Sequence, residues 1–360
     1  MTLRAALVGG PMYDHLYDAL PSDLDVVVHA DHPTLNREAG RLLAAGERID
    51  LLSTHSKYAP SQRPWLLPLD GVVSRAVVDA LAPRAVDLCR FDGELLCVPR
   101  NIDVRVLWYR TDLVDAPPDT WAETVASPRA FGFPGRESGL FGTFFELVTG
   151  HGGGLFDDDL RPTMTTPECV AAVDTLCWLA AKAPGDLPDW HYDDVDAALL
   201  GGRVAMAAAW PGGYGPIRRS PLYDRLAPAP YPAGPVRRVS YSGCHAWAVP
   251  RTSGNVAGAA ALVELLSARE AQGVEAAGGA VCAHVEAFAA VEPADATDER
   301  RLAVTRETIA GAMITYPPLP SFPEVEDAGW AAVRRALRGE ITAAQACAAV
   351  QGRAEEVLRG

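Results

Sequence analysis

A polar quartet set inside apolar sequence is the first candidate for chemistry. Residues 100–103 include Arg100, Asn101 and Asp103, and they stand between two apolar runs, 95–98 and 104–109, that each suit a short strand. Polar groups beside a core cost free energy unless they are paired or hydrated. The quartet therefore either caps a turn or lines a water-filled cleft, and for Asn101 the two interpretations are equally supported.

Other aromatic and polar side chains stand where predicted strands end. Ligands in open α/β sheets bind outside the carboxyl ends of the strands. This rule selects the loops that follow residues 3–8, 24–29 and 49–52. It also selects Trp210, which ends the apolar run 204–209 and precedes a Pro-Gly-Gly turn that would leave the indole projecting.

Enzyme motifs are missing from the sequence. Residues 151–154, His-Gly-Gly-Gly, resemble the oxyanion loop of esterases, but no Gly-x-Ser-x-Gly elbow supplies a nucleophile. No phosphate loop, dinucleotide fingerprint or His-Glu-x-x-His motif occurs. The acids at 157–159 suit a solvated turn, and the eight histidines do not cluster along the chain. We therefore predict no catalytic residue, no metal site and no cofactor.

Composition limits the class of protein. The 360 residues exceed one ordinary core and suit two lobes, while 49% apolar and 22% charged residues indicate a globular chain. A net charge of −14 argues against nucleic-acid or anionic-membrane surfaces, because both partners attract basic patches. No apolar run is long enough to span a membrane. A monomer without nucleic-acid or membrane partners is expected.

Cysteines and the N-terminus bear on the compartment. The apolar run at residues 3–8 is too short for the core of a signal peptide. The seven cysteines are odd in number and scattered, which favours reduced thiols over a disulfide framework. The sequence as written therefore predicts a cytoplasmic protein, or an extracellular or cell-surface one if a leader precedes it.

The pattern of elements predicts an α/β fold. Strands are expected at 3–8, 24–29 and 49–52, the second of them as a buried parallel strand, with a helix at 33–45 between the second and third. This alternation is typical of a parallel, doubly wound sheet. Asp92-Gly93 between apolar runs predicts a hairpin. Further helices are expected at 167–181, 257–266, 328–337 and 342–358.

Four stretches in a fixed order resemble one family. They are residues 91–121 with Asp-Gly-Glu-Leu, Val-Pro and Pro-Pro-Asp-Thr-Trp; 197–214 with Gly-Gly-Arg-Val-Ala-Met; 241–250 ending in Ala-Val-Pro; and 257–272 ending in Ser-Ala-Arg-Glu-Ala-Gln. Together they are similar to the family-1 extracellular solute-binding proteins of ABC sugar importers, which include maltose-binding proteins. The resemblance covers nearly the whole chain.

The resemblance implies a type II periplasmic-binding-protein fold, with two doubly wound lobes joined by a hinge. The expected lobes are residues 1–107 plus 249–312, and 108–248 plus 313–360. It implies reversible binding of a mono- or oligosaccharide between them without chemistry, and ABC permease subunits as partners if the protein is exported. Sugar sites combine flat rings with convergent polar groups. The candidate binding residues are Tyr13, His15, His55, Lys57, Tyr58, Asn101, Asp103, Glu146, Trp210, Tyr214, Tyr241 and His245.

Two other interpretations remain open at this stage. A family member without a leader could be a cytosolic sugar sensor, or an enzyme that has adapted the cleft. Relatives often place Trp at the position of His245, which hints at a more polar ligand here.

Overall fold

The computed structural model describes residues 2–10, 13, 14, 17 and 20–359. The described strands, in chain order, are β1 Arg4–Val8, β2 Asp25–Ala30, β3 Leu51–His55, β4 Arg90–Phe91, β5 Glu94–Leu95, β6 Val98–Pro99, β7 Val106–Arg110, β8 Phe131–Gly132, β9 Met206–Ala209, β10 Leu226–Ala229, β11 Ser240–Tyr241, β12 His245–Ala248 and β13 Met313–Ile314. The described α-helices are α1 His32–Ala44, α2 Ala59–Gln62, α3 Arg75–Asp79, α4 Pro83–Leu88, α5 Trp121–Ala126, α6 Glu137–Gly150, α7 Pro167–Ala180, α8 Tyr192–Leu200, α9 Tyr214–Arg219, α10 Val256–Ser267, α11 Arg269–Ala277, α12 Val285–Ala289, α13 Ala296–Gly311, α14 Phe322–Leu337 and α15 Ala343–Arg359.

The chain divides into two compact units. Unit 1 consists of Met1–Asp103, Gly243–Glu292 and Pro318–Pro320, and unit 2 consists of Val104–Ser242, Pro293–Pro317 and Ser321–Gly360. Within the described residues, no helix is long and apolar enough to cross a membrane. The expected lobe boundaries stay a prediction, since lobes that move about a hinge need not coincide with units of dense contact.

Unit 1 is built on a five-stranded sheet with the order β2-β1-β3-β12-β6. β1 is parallel to β2 and to β3, as the alternation of strands and helices predicts. The expected parallel arrangement is wrong beyond β3, because β12 runs antiparallel to both β3 and β6. The expectation that residues 24–29 form a buried strand is also wrong, since β2 lies at the edge and Val26 is 44% exposed.

Local signals in unit 1 act as their chemistry predicts. The Asp31 carboxylate accepts from the Thr34 N–H and caps α1 at its first turn. Asp92 and Gly93 both have positive φ, 48° and 85°, and join β4 to β5 as a tight hairpin. Positive φ at both central residues is typical of type I′ turns, which favour Asp-Gly. The predicted hairpin is confirmed.

Unit 2 has a four-stranded sheet with the order β10-β7-β9-β8, in which only β8 and β9 are parallel. Four of its long helices, α6, α7, α14 and α15, pack on one another. α6 is apolar on all sides and almost wholly buried, so it forms the centre of this unit. A Cβ at Gly329 would lie 2.1 Å from the Phe141 ring, so the close approach of α14 to α6 requires glycine there.

Candidate functional site

Three histidines meet at one end of the unit 1 sheet. β3 ends at His55, β12 begins at His245, and these two residues are directly paired across the antiparallel strands. His32, the first residue of α1, stacks on His245 with ring centroids 4.7 Å apart. The sequence-based statement that the histidines do not cluster is therefore wrong in space. A strand end, a strand start and a helix start bring them together.

Hydrogen bonds link two of these rings to each other and one of them to a tyrosine, and a carboxylate lies beside two of the rings. His245 Nδ1 lies 3.0 Å from His32 Nε2, and His245 Nε2 lies 3.0 Å from the Tyr13 hydroxyl. Asp103 Oδ2 lies 3.5 Å from His55 Nε2 and 3.6 Å from His245 Nε2. Two strand-end rings and a carboxylate thus point at one small volume.

Asn101 and Asp103 are fixed by backbone contacts. The Asn101 Oδ1 atom accepts from the His245 N–H at 2.9 Å, and the Asp103 N–H donates to the Gly243 carbonyl at 2.9 Å. The Asn101 amide also donates to Asp103 Oδ1 at 3.4 Å. Asn101 therefore ties the polar quartet to β12, and that it also binds ligand stays a prediction.

Burial keeps the three rings neutral. Desolvation lowers the pKa of His32, His55 and His245 well below the usual range, and the nearby Lys57 charge lowers the pKa of His55 further. Desolvation raises the pKa of Asp103, and the facing His245 and Arg100 oppose that rise. Neutral imidazoles present both a donor and an acceptor, which suits recognition of hydroxyl groups.

Two more unit 1 candidates, Tyr58 and Lys57, lie beside this cluster. Tyr58 lies beside His32 and His55, with ring centroids 5.6 and 6.4 Å away. The Lys57 ammonium lies 4.7 Å from the Tyr58 ring centre, and the Lys57 N–H donates to His55 Nδ1 at 3.2 Å. His15 lies outside the described residues.

In unit 2, Trp210 follows the last residue of β9 and is half-buried. The Arg105 guanidinium lies 4.5 Å from the centre of its ring, and Tyr241 packs edge-on at 6.1 Å. Tyr241 is itself buried and lies 4.5 Å from Tyr316, centroid to centroid. Trp210 is thus the outer member of an aromatic group supported by a buried cation.

Glu146 and Tyr214 have contacts that favour a supporting role. Glu146 is wholly buried on α6; its carboxylate accepts from the Tyr241 N–H at 2.7 Å and lies 3.3 Å from the Arg105 guanidinium. Tyr214 is 4% exposed and is covered by the Arg301 guanidinium at 3.9 Å from its ring centre. That both bind ligand stays a prediction.

Known proteins resemble this chain in sequence. The sequence model of a family described as bacterial extracellular solute-binding protein matches residues 24–273. The chain belongs to this family. A probable ABC transporter-binding protein from Deinococcus radiodurans is 28% identical over 194 residues, which is 47% of this chain and 46% of that protein. The match thus spans about half the length of this curated relative.

Solved structures show which fold this solute-binding protein has. The maltose-bound MalE3 of T. maritima superposes with a TM-score of 0.87 at 20% identity, over 99% of each chain. The GacH receptor of Streptomyces glaucescens, whose structures include an acarbose complex, superposes with a TM-score of 0.86 at 18% identity over 99% of this chain and 98% of that one. The α/β, type II periplasmic-binding-protein fold is therefore confirmed.

Two residues of this solute-binding protein escaped the sequence-based choice. His32, at the start of α1, belongs to the stretch after the second strand that the strand-end rule selects, but an isolated histidine gave no reason to choose it. Asp196 on α8 faces the turn after Trp210, since a Cβ at Gly213 would lie 2.6 Å from its Oδ2 atom. Burial, helped by Asp193, raises the pKa of Asp196 to about 7. A helix carboxyl in an acidic stretch gave no signal of that contact.

Proposed function

We propose that this solute-binding protein binds a mono- or oligosaccharide as the capture component of an ABC importer. Family membership supports solute binding. Two proteins of the same fold were solved with maltose and with acarbose, and a partial relative is described as a probable ABC transporter-binding protein. The sugar class, the permease partners and a monomeric state belong to the proposal.

The observation that carries the proposal is the polar end of the unit 1 sheet. Sugar hydroxyls need donors and acceptors held at fixed angles. His55 and His245 at strand ends, with Asp103 held by its bridge to Gly243, offer both kinds of group. Asn101 and Tyr13 complete the set through their bonds to His245. Neutral rings beside a single carboxylate suit an uncharged polyol better than an anion.

Trp210 supplies the apolar surface in this proposal. One face of its ring is covered by Arg105, so the opposite face is the one that could lie against the C–H face of a sugar. The cation also fixes the ring before ligand arrives, which lowers the entropy cost of binding. We infer that ligand brings the two units together about a hinge, as a ligand that contacts both would favour the closed state.

A thermal-shift screen over mono- and oligosaccharides tests the proposal, because a ligand that binds only the folded state raises the melting temperature. We expect at least one sugar to raise it in the wild type and to have a much smaller effect on Asp103→Asn. Asp158→Asn, in an exposed turn, is the matched control and should respond like the wild type. A folded protein that responds to no sugar would contradict the proposal.

Binding is proposed to occur without turnover. The family is one of solute-binding proteins, and the sequence carries no nucleophile elbow or phosphate loop. Incubation of bound sugars with purified protein should leave them unchanged. Product that accumulates in proportion to protein concentration, and that disappears with Asp103→Asn, would instead show an enzyme.

The cysteines favour a second candidate, a cytosolic sugar sensor of the same binding chemistry. All seven are thiols in the structure, and six of these are buried. Cell fractionation separates the two candidates, since an importer component must lie outside the membrane. Titration of thiols in protein denatured without reductant adds a second criterion, because two or more intramolecular disulfides would exclude the sensor.

A further inference from the structure

We propose that His55, Asp103 and His245 bind a divalent transition metal ion of the zinc class. This inference goes beyond sugar capture and does not depend on it, because the metal would occupy the protein whether or not a sugar binds. It also departs from the sequence, which gave no metal motif. Only the fold brings these three side chains together.

The distances among the donor atoms support a shared ion. One ligand atom from each residue can be chosen so that all lie within 4.8 Å of one another. Asp103 Oδ2 is 3.5 and 3.6 Å from the two Nε2 atoms, which is too long for good hydrogen bonds. Two ligands on one tetrahedral Zn²⁺, each at about 2.0–2.1 Å, are separated by about 3.3 Å. The distances from the carboxylate to both rings are therefore close to those between two ligands of one metal ion and longer than those of good hydrogen bonds.

The framework around the three residues resembles the support that metal ligands usually have. His55 and His245 are cross-strand neighbours, and the Asp103 N–H is bonded to the Gly243 carbonyl. Behind the ligands, His245 Nδ1 lies 3.0 Å from His32 Nε2, and Asp103 Oδ1 accepts from Asn101. Partners of this kind fix the ring tautomer and orient ligands in metal sites.

Two contacts must change when the ion binds. The Tyr13 hydroxyl lies 3.0 Å from His245 Nε2, and this hydrogen bond breaks when the lone pair of Nε2 coordinates the metal. Coordination through His55 Nε2 places the ring proton on Nδ1, which then no longer accepts from the Lys57 N–H. The Lys57 charge also opposes a cation. These requirements predict weaker binding than in a site built only for metal.

The donor set selects the type of ion. Imidazole nitrogen suits Zn²⁺, Cu²⁺, Ni²⁺ and Fe²⁺, whereas Mg²⁺ and Ca²⁺ prefer oxygen ligands alone. Three protein ligands leave a coordination position for water or for a hydroxyl of the bound solute. The metal ion would then coordinate a hydroxyl group of the solute directly.

The test uses the full chain, freed of metal by a chelator and of any affinity tag. Zn²⁺ is titrated calorimetrically, and Co²⁺ is followed by its visible absorption. We expect one ion per chain and an intense Co²⁺ spectrum of low coordination number. His55→Ala, Asp103→Asn and His245→Ala should lose stoichiometric binding, and His32→Ala should weaken it by about 10–100-fold. His191→Ala, whose ring pairs with Glu137 in unit 2, should bind like the wild type.

Two results would overturn the inference. One is a wild type that takes up no more metal than a triple variant in which His55 and His245 are replaced by Ala and Asp103 by Asn. The other is Asp103→Asn, with an unchanged melting temperature in chelator, binding as tightly as the wild type. Because the nearly isosteric Asp103→Asn should fold normally, loss of binding there cannot be ascribed to misfolding. Sugar binding by the chelator-treated protein is measured separately, so the two proposals can fail independently.

Discussion

Trp210 shows how the surroundings of a single side chain fix its orientation. It follows the last residue of β9, is half-buried, and lies under the guanidinium of Arg105, itself 1% exposed. A cation fixed by burial holds the indole in one orientation. The sequence indicated this position from the strand end and the following Pro-Gly-Gly. It could not indicate Arg105, because the two residues are far apart in the chain.

Trp210→Ala should weaken sugar binding by about 2 kcal/mol, the threshold of a buried aromatic hot spot. The fold should survive, since the Trp210 side chain is not fully buried. Calorimetric titration of wild type and variant measures the loss. Trp178→Ala, on the outer face of α7 with Trp178 56% exposed, is the matched control and should bind normally. Unchanged affinity in Trp210→Ala would show that Trp210 only packs.

Asp196 should make stability depend on pH. Its pKa is raised from 3.8 to about 7, mainly by burial. Between these values the unfolded chain releases a proton that the native state keeps, so native stability falls as pH rises from about 4 to about 7 and then levels off. We expect Asp196 to lower the free energy of unfolding by about 1–3 kcal/mol over this pH range. This is less than the full pKa shift would give, because the residue is partly exposed.

The measurement for Asp196 is urea unfolding at pH 5 and pH 8. Asp196→Asn should lose less stability than the wild type between pH 5 and pH 8. Asp158→Asn, in an exposed turn, should have the same pH dependence of stability as the wild type. If the wild type and Asp196→Asn have the same pH dependence, the carboxyl is ionised in the native state.

At the scale of elements, strand ends and their partners determine which side chains converge. Hairpin and helix positions were predictable from local chemistry, as the Asp92-Gly93 turn and the Asp31 cap show. The antiparallel direction of β12 was not predictable, because the local sequence of a strand does not show in which direction the chain returns from a second unit. His32 and His245, 213 residues apart in the chain, meet only through that return. Pairing across such distances is set by tertiary packing.

Gly243 should prove essential for the position of His55. A Cβ there would lie 2.2 Å from the His55 Cε1 atom, so Gly243→Ala must displace the ring from its place beside Asp103. We expect sugar affinity to fall at least about tenfold, a loss near 1.4 kcal/mol. Gly311→Ala, where nothing lies within 4 Å of the new Cβ, is the control. Normal affinity in Gly243→Ala would mean that His55 does not contact the solute.

The buried pair between Arg105 and Glu146 should be costly to break. Both side chains are at most 1% exposed, so Glu146→Ala leaves a guanidinium buried without its carboxylate. We expect a loss of about 3–5 kcal/mol in the free energy of unfolding. The exposed pair Arg353–Glu356 is the control, where Glu356→Ala should cost less than about 1 kcal/mol. Chemical denaturation measures both, and equal small losses would show that the buried pair contributes little.

At the scale of the whole molecule, the order of the motifs along the chain indicated the family better than the amino-acid composition did. Four motifs in sequence indicated the family, and the match over residues 24–273 shows it. The identity of the solute was not readable, because the side chains that we propose to bind it, such as His55 and His245, belong to no common motif. Fold follows from many weak and redundant signals, whereas a binding site depends on a few residues placed within ångströms of one another.

The central claim, that this protein captures a sugar reversibly, is tested most directly by isothermal titration calorimetry of the purified chain against the sugars selected by thermal shift. We predict saturable binding of one sugar per chain and full recovery of unchanged sugar. A folded protein that gives no saturable heat with any of these sugars would contradict the claim.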